Sequence, residues 1–232
     1  MNLFYQLVTD LTGLLFPNLC CGCGQPLFKG ETQICSSCLF QLPYTDHHEH
    51  AANKAAKQLW GRLPCLAVMS MCYFKKGSRV QNLIHHLKYK GRQELGVKLG
   101  GLLAEKIKLN PDYAQADLII PVPLHPARAR TRGYNQSLCI ANGISAMLNI
   151  PVQPKLLLRS VNTSSQTRKG RFTRFENMQT VFFLSNPSTI QGKHILLVDD
   201  VMTTGATLEA CGIELFKCGI HKLSIATIAF AE

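Results

Sequence analysis

Acidic residues are scarce in this chain. Its 232 residues include 14 Asp plus Glu against 25 Lys plus Arg, a formal net charge of +11. Such an excess draws polyanions, nucleic acid and phosphorylated small molecules alike, and charge does not separate the two. Long apolar runs are missing as well: no stretch approaches the roughly 18 apolar residues of a membrane span, so no span is expected. The G-x-G-x-x-G, G-x-x-x-x-G-K-[ST] and H-E-x-x-H patterns are absent, which removes the usual dinucleotide, P-loop and zinc-protease readings. Aromatic residues are only 8% of the chain, with no regular Arg/aromatic alternation of the kind that single-strand platforms often carry. An export signal is also lacking: residues 1–17 have no Lys or Arg before their apolar residues and no small-residue cleavage site. The ten cysteines are therefore expected to be reduced or metal-bound thiols of a cytoplasmic protein.

With 46% hydrophobic residues the chain can bury a core. Its length suits one ordinary domain plus a smaller module. The smaller unit is read as residues 1–60, holding an N-terminal helix and a cysteine-rich stretch, and the larger as 61–232. Leu3, Phe4, Leu7, Val8, Leu11, Leu14 and Leu15 recur at helical spacing, so 2–15 reads as an amphipathic helix packing on the body of the protein. The polar run from Thr45 to Lys57, with His47, His48 and His50, reads as a solvated loop or helix face.

Beyond residue 65 short apolar runs alternate with helical patterns. Ala67–Tyr73, Leu118–Val122, Ile195–Val198 and Leu223–Ile228 read as strands, and 79–88, 93–108, 135–148 and 206–218 as helices. That alternation predicts an α/β domain with a mostly parallel sheet flanked by helices. Cys211 and Cys218 share one helical stripe with Leu208 and Leu215 and are read as core. The polar segment 159–179 is the one long low-apolar stretch in this domain, and such loops are often functional.

Cys20-Cys21-Gly22-Cys23 and Cys35-Ser36-Ser37-Cys38 form two Cys-x-x-Cys pairs separated by 11 residues. Each turn aims two sulfurs at one point, so the pairs supply four soft ligands for a closed tetrahedral Zn²⁺ site. Cys20, Cys23, Cys35 and Cys38 are the expected ligands and Cys21 is spare. With no open coordination position, such a zinc is structural.

The segment Ile195-Leu196-Leu197-Val198-Asp199-Asp200-Val201-Met202-Thr203-Thr204-Gly205-Ala206-Thr207 joins a buried strand, two acids and a Thr-rich turn that opens a helix. The free N–H groups of the helix start, the Thr hydroxyls and a Gly permitting close approach suit a phosphate. Two carboxylates would repel that phosphate, but they suit the hydroxyls of a sugar on the same ligand. The pieces specify a ribose-5-phosphate-like group. A Cβ at Gly205 is expected to enter the space the phosphate needs.

This stretch resembles the phosphoribosyl pyrophosphate (PRPP) motif of type I phosphoribosyltransferases. The resemblance implies that Asp199 and Asp200 contact the ribose hydroxyls while Thr203, Thr204, Gly205, Ala206 and Thr207 hold the 5′-phosphate, with Mg²⁺ accompanying PRPP. Three further segments carry positive charge: His85–Arg92, Pro121–Gln136 and Thr163–Arg174. Taken in order, the four-Cys module, H-x-L-K-Y-x-G, P-V-P-L-H-x-x-R with R-G-x-N-Q, a Gln- and Arg-rich loop and the PRPP motif resemble the ComF family of competence-associated proteins. That resemblance implies a type I phosphoribosyltransferase fold carrying a zinc ribbon, and a role with imported single-stranded DNA and the DNA-uptake machinery. Lys88 and Arg132 are candidates for pyrophosphate contact, and Arg128, Arg130, Arg168, Lys169 and Arg171 for nucleic acid. Two functions remain open: a DNA-handling protein with a phosphoribosyl pocket, and an active phosphoribosyltransferase of nucleotide or base metabolism.

Overall fold

The computed structural model describes residues 17–160 and 182–231. The helix expected over 2–15, nearly all of the 159–179 loop, and Arg168, Lys169 and Arg171 lie outside the described residues. The central sheet has four strands, β1 (Ala67–Phe74), β2 (Leu118–Pro121), β5 (His194–Met202) and β6 (Lys222–Ala231), in the order β1-β6-β5-β2. All three pairings are parallel. An antiparallel pair, β3 (Leu157–Arg159) and β4 (Phe182–Leu184), forms a second small sheet.

Parallel strands need crossovers, and the helices that supply them cover both faces of the sheet, which is why the strands read as unbroken apolar runs. The two faces alternate along each strand. Ile119, Leu196, Val198 and Ile228 face one core with the helices α3 (Arg79–Tyr89), α4 (Gln93–Ile107) and α7 (Gln136–Leu148). Leu118, Ile120, Ile195, Leu197, Leu223 and Ile225 face the other, against Leu208, Cys211 and Leu215 of α8 (Ala206–Lys217). Cys218, expected in the core, caps the end of α8 and is half-buried.

α4 and α7 cross backbone to backbone. A Cβ on Gly100 would stand 2.1 Å from the Ile140 carbonyl oxygen, and one on Gly143 would stand 2.1 Å from that of Val97. Only glycine permits this approach, and it seats the N-terminus of α7 over the carboxyl end of β5.

Two expectations are corrected. The strand anticipated over Ile195–Val198 runs on to Met202, because Asp199 still pairs with Thr227 and Met202 with Phe230. The acids therefore lie within the ladder rather than beyond it. The Thr45–Lys57 run is not a solvated face: Thr45, His47 and His48 are buried. Thr45 donates its hydroxyl to the Ser70 carbonyl, and the His47 ring packs edge-on against Tyr73 and Phe230. Burial together with nearby Lys106 pushes the His48 pKa down. Among the described residues no helix is long and apolar enough to cross a membrane.

Candidate functional site

A cavity of about 600 Å³ opens at the carboxyl ends of β2 and β5, where ligands bind in open α/β sheets. Asp199 and Asp200 of β5 line it, with Lys88 and Tyr89 from the end of α3, Thr207 from α8 and Arg159 from β3. A further wall comes from α6 (Pro126–Arg132), a helix with no buried residue. His125 Nδ1 caps its start by accepting from the Ala127 N–H, and Gly133, left-handed at φ 79°, ends it. Because residues four apart share a helix face, Arg128 and Arg132 line the cavity together with Ala127 and Thr131. Arg130 falls on another face, exposed and outside the cavity lining.

The two acids are set differently. Asp199 accepts from Ser137 Oγ at 2.8 Å and from the Asp200 N–H at 2.8 Å. Burial, then the adjacent Asp200 charge, raise its pKa from an ordinary carboxyl value to about 7, against the lowering effect of those hydrogen bonds and of Lys88. Asp200 lies 2.9 Å from Lys88 Nζ, an ion pair formed without hydrogen-bond alignment. Four cations, Lys88, Arg128, Arg132 and Arg159, thus share the cavity with two carboxylates.

The turn before α8 sits beside this cavity. Gly205, at φ 75°, is its N-cap and has no side chain to cap it; the Ala206 N–H donates to Thr204 Oγ1 at a long 3.5 Å, and the other N–H groups of the first turn of this 12-residue helix are left for an anion. Thr203, Thr204, Ala206 and Thr207 are exposed, and of the 203–207 turn Thr207 lines the cavity itself. Arg62 holds the turn from beneath: its Nη1 donates to the Thr204 carbonyl at 3.0 Å and its Nη2 pairs with Glu209. One expectation fails here. A Cβ on Gly205 would point not at the phosphate space but at Leu59 Cδ2, 2.9 Å away, and Met202 Cε, 3.1 Å away.

Cys20, Cys23, Cys35 and Cys38 come together with all four sulfurs within 4.8 Å of one another. The Cys23 and Cys35 sulfurs lie 3.8 Å apart, and sulfurs held about 2.3 Å from a tetrahedral centre are about 3.8 Å apart. The donor set and its size therefore fit a zinc ion. N–H groups of Gly22 and Cys35 point at Cys20 Sγ, at 3.4 and 3.2 Å. Burial raises the Cys20 pKa, but N–H donation from Cys35, Cys23 and Gly22 outweighs it and leaves the thiol at about 7. Cys21 stands outside the cluster, its Sγ 3.7 Å from Gln33 Oε1. Asn82 of α3 donates to the Gly22 carbonyl at 2.9 Å, so one helix runs from the knuckle to Lys88 at the cavity.

Three participants escaped the sequence reading. Arg159 reaches the cavity from β3, its guanidinium 5.3 Å from the Phe182 ring. Ser137 touches Asp199 from 62 residues away, and Arg62 touches Thr204 from 142 residues away. Ser137 directly follows the R-G-x-N-Q motif, a local signal available in the sequence; Arg62 has none.

A parallel sheet with acids in the carboxyl-terminal half of a central strand, a helix start beside them and a cation-lined cavity define a phosphoribosyltransferase fold of type I, carrying a four-Cys cluster. In keeping with this, the profile of the phosphoribosyl transferase domain matches residues 135–232. The DNA utilization protein YhgH of Escherichia coli K12 is 30% identical over 228 residues, covering 91% of this chain and 96% of the relative. Competence protein F of Haemophilus influenzae is 26% identical with the same coverage. Among solved structures, a purine phosphoribosyltransferase from Pyrococcus horikoshii is 24% identical, covering 58% of this chain and 73% of that one at a TM-score of 0.38. The chain belongs to the ComF family.

Proposed function

We propose that this protein binds a 5-phosphoribosyl ligand, PRPP first among them, and handles single-stranded DNA in the cytoplasm during DNA uptake and natural transformation. The observation that supports the ligand is the shared cavity: Asp199 and Asp200 are the proposed partners of the ribose hydroxyls, and the start of α8 beside them is the proposed seat of the 5′-phosphate. Lys88 and Arg132 supply charge for a pyrophosphate, with Arg128 and Arg159 behind them. Mg²⁺ enters as the counter-ion that a pyrophosphate brings, and Zn²⁺ is held by Cys20, Cys23, Cys35 and Cys38 as a structural ion. The DNA role draws on the names of the relatives and on the net charge of +11. Arg130, outside the cavity, together with Arg128 and with Arg168, Lys169 and Arg171 of the 161–181 segment, are the proposed phosphate contacts.

The cations around the proposed pyrophosphate position favour a second reading, transfer of the pentosyl group. In that reaction the bond from the anomeric carbon to pyrophosphate breaks and a bond to an acceptor forms, with Lys88 and Arg132 taking up the developing charge on the leaving oxygens. Calorimetric titration of PRPP with Mg²⁺, and strand binding across a salt series, test the proposal. Saturable PRPP binding and a linear fall of log K with log [salt] are expected, the slope flattening in the Arg128→Ala, Arg130→Ala, Arg132→Ala triple variant. Absence of strand binding at low salt sinks the DNA role and leaves the transferase reading. Absence of PRPP and ribose 5-phosphate binding removes both.

A further inference from the structure

A second cavity, of about 550 Å³, lies between the four-Cys module and the start of α3. Cys23, Lys75, Ser78 and Arg79 line it, Pro43 and Tyr73 give it apolar wall, and no carboxylate faces it. Arg79 stands in the first turn of α3, where the helix dipole disfavours a cation and no acid offsets it. Its Nε is buried and has no hydrogen-bond partner among the described residues. Into this positive space opens one sulfur of the four: Cys23 is exposed, while Cys20, Cys35 and Cys38 are buried. The exposed sulfur is also unshielded. N–H groups of Gly22 and Cys35 point at Cys20 Sγ, and that of Cys38 at Cys35 Sγ, whereas among the described residues none points at Cys23. Zinc holds its cysteine ligands as thiolates, and an exposed thiolate in an electropositive surround is the reactive form of cysteine.

We propose that Cys23 is a modification site, exchanging with small disulfides that carry carboxylates, of which glutathione disulfide is the type. The assignment rests on the structural-zinc reading and adds a reaction to it. The Cys23 thiolate attacks one sulfur of the reagent, a Cys23–S–S–R mixed disulfide forms and one R–S⁻ leaves. The Cys35 sulfur, 3.8 Å from that of Cys23, then attacks Cys23, so a Cys23–Cys35 disulfide forms and the second R–S⁻ leaves. Two protein thiolates are oxidised and one reagent disulfide is reduced, and the ion departs from Cys20 and Cys38, the two thiolates that remain. Lys75 and Arg79 draw the carboxylates of the reagent into the cavity. Asn82, which ties α3 to the Gly22 carbonyl, lines the same cavity, so loss of the ion reaches the helix that carries Lys88.

The test treats the zinc-loaded full chain with glutathione disulfide, which is anionic, and with cystamine, a cationic disulfide. A chromophoric chelator reads zinc release, and peptide mass spectrometry locates the modified sulfurs. At low salt glutathione disulfide is expected to release zinc about tenfold faster than cystamine, an advantage that salt erodes. The mixed disulfide should form first on Cys23 and the crosslink to Cys35 follow. Lys75→Gln with Arg79→Gln should slow the anionic reagent and not slow cystamine. Cys23→His keeps a zinc ligand in place and should hold the ion against both reagents; should that variant fail to bind zinc, the order of modification in the wild type decides alone. Equal slowing of both reagents in the double variant assigns the two cations to the reactivity of the thiolate and overturns the choice of reagent. Zinc release that precedes modification of Cys23, or no release by glutathione disulfide, overturns the site. If fresh protein holds no zinc, the zinc reading falls and this inference falls with it.

Discussion

Ser137 and Asp199 meet at 2.8 Å across the junction of α7 and β5, the hydroxyl donating to a buried carboxylate at the wall of the cavity. A charge is costly in that place, and one hydroxyl with one N–H recovers only part of its lost hydration. The folded-state pKa, about 7, lies above the ordinary 3.8. For a raised pKa the folded state holds its proton more tightly than the unfolded chain does. The contribution to stability is therefore full below about pH 4 and is lost as pH rises towards 7.

Asp199→Asn keeps the oxygen that Ser137 and the Asp200 N–H approach and removes the charge. At pH 8 the variant should melt above the wild type by about 2 °C or more, and the advantage should vanish near pH 4. Melting curves across pH 4–8 measure this. A difference that is flat in pH contradicts the buried-charge account. Affinity for ribose 5-phosphate should fall in the same variant, which separates the needs of binding from those of folding.

Gly205 answers to two demands. Its φ of 75° costs an L-residue about 1–2 kcal/mol, and its missing Cβ leaves room for the buried Leu59. Gly205→Ala should destabilise the fold, and Leu59→Ala should do so by about 2–5 kcal/mol on its own. In the double variant the clash with Leu59 is gone, while the backbone cost, the approach to Met202 Cε and the loss of the Leu59 side chain remain, so urea midpoints should show less loss than the sum of the two singles. Strict additivity would mean that Leu59 does not contact position 205. The double variant should still bind ribose 5-phosphate less tightly, because the backbone cost falls on the turn that presents the N–H groups.

Local pattern carried much of this architecture into view. Apolar runs and period-3.6 spacing placed β1, β2, α3, α4, α7 and α8 close to their observed limits and found the cores of β5 and β6, since both faces of a parallel sheet are apolar. Cys-x-x-Cys spacing brought out the four sulfurs for a similar reason: each pair is a property of one short turn. What stayed hidden depends on residues distant in the chain. Polar Asp199 and Asp200 looked like a strand end, yet pairing with β6 carries the strand through them. His47 looked solvated, and becomes buried only when Tyr73 and Phe230 close over it. The direction of the absent Gly205 Cβ follows from a dihedral angle and from Leu59, neither of which a motif displays. Arg159 enters the cavity through a strand pair that carried no sequence signal.

The four-Cys cluster predicts its own failure mode. Cys35 both joins the sulfur set and caps α1 (Ser36–Phe40), its Sγ accepting from the Cys38 N–H at 3.4 Å. With zinc in place, ligation energy is folding energy for so small a unit. Cys35→Ser should release the ion and unfold residues 17–40, and hydrogen exchange should rise there first and along α3 near Asn82 next. Elemental analysis of fresh protein should find one zinc per chain in the wild type. Zinc below half occupancy, or full zinc after the substitution, contradicts the assignment.

Arg62 is the last test, because it separates positioning from stability. Its ion pair with Glu209 is partly exposed, and pairs of that kind contribute little to folding. Its hydrogen bonds to the Gln58 and Thr204 carbonyls tie the segment under the turn to the turn itself. Thr204 precedes the left-handed Gly205, so loss of this tie loosens the turn whose N–H groups are proposed to hold the phosphate. Arg62→Gln should lower the melting temperature by less than about 3 °C. It should weaken ribose 5-phosphate roughly fivefold, the worth of about one hydrogen bond. Arg62→Lys keeps charge for Glu209 but cannot fork to two carbonyls and a carboxylate, so it should restore the melting temperature without restoring affinity. Calorimetry and melting on the same samples read the two effects separately. A variant that loses several degrees while binding normally would make Arg62 a fold residue and no part of the phosphate site.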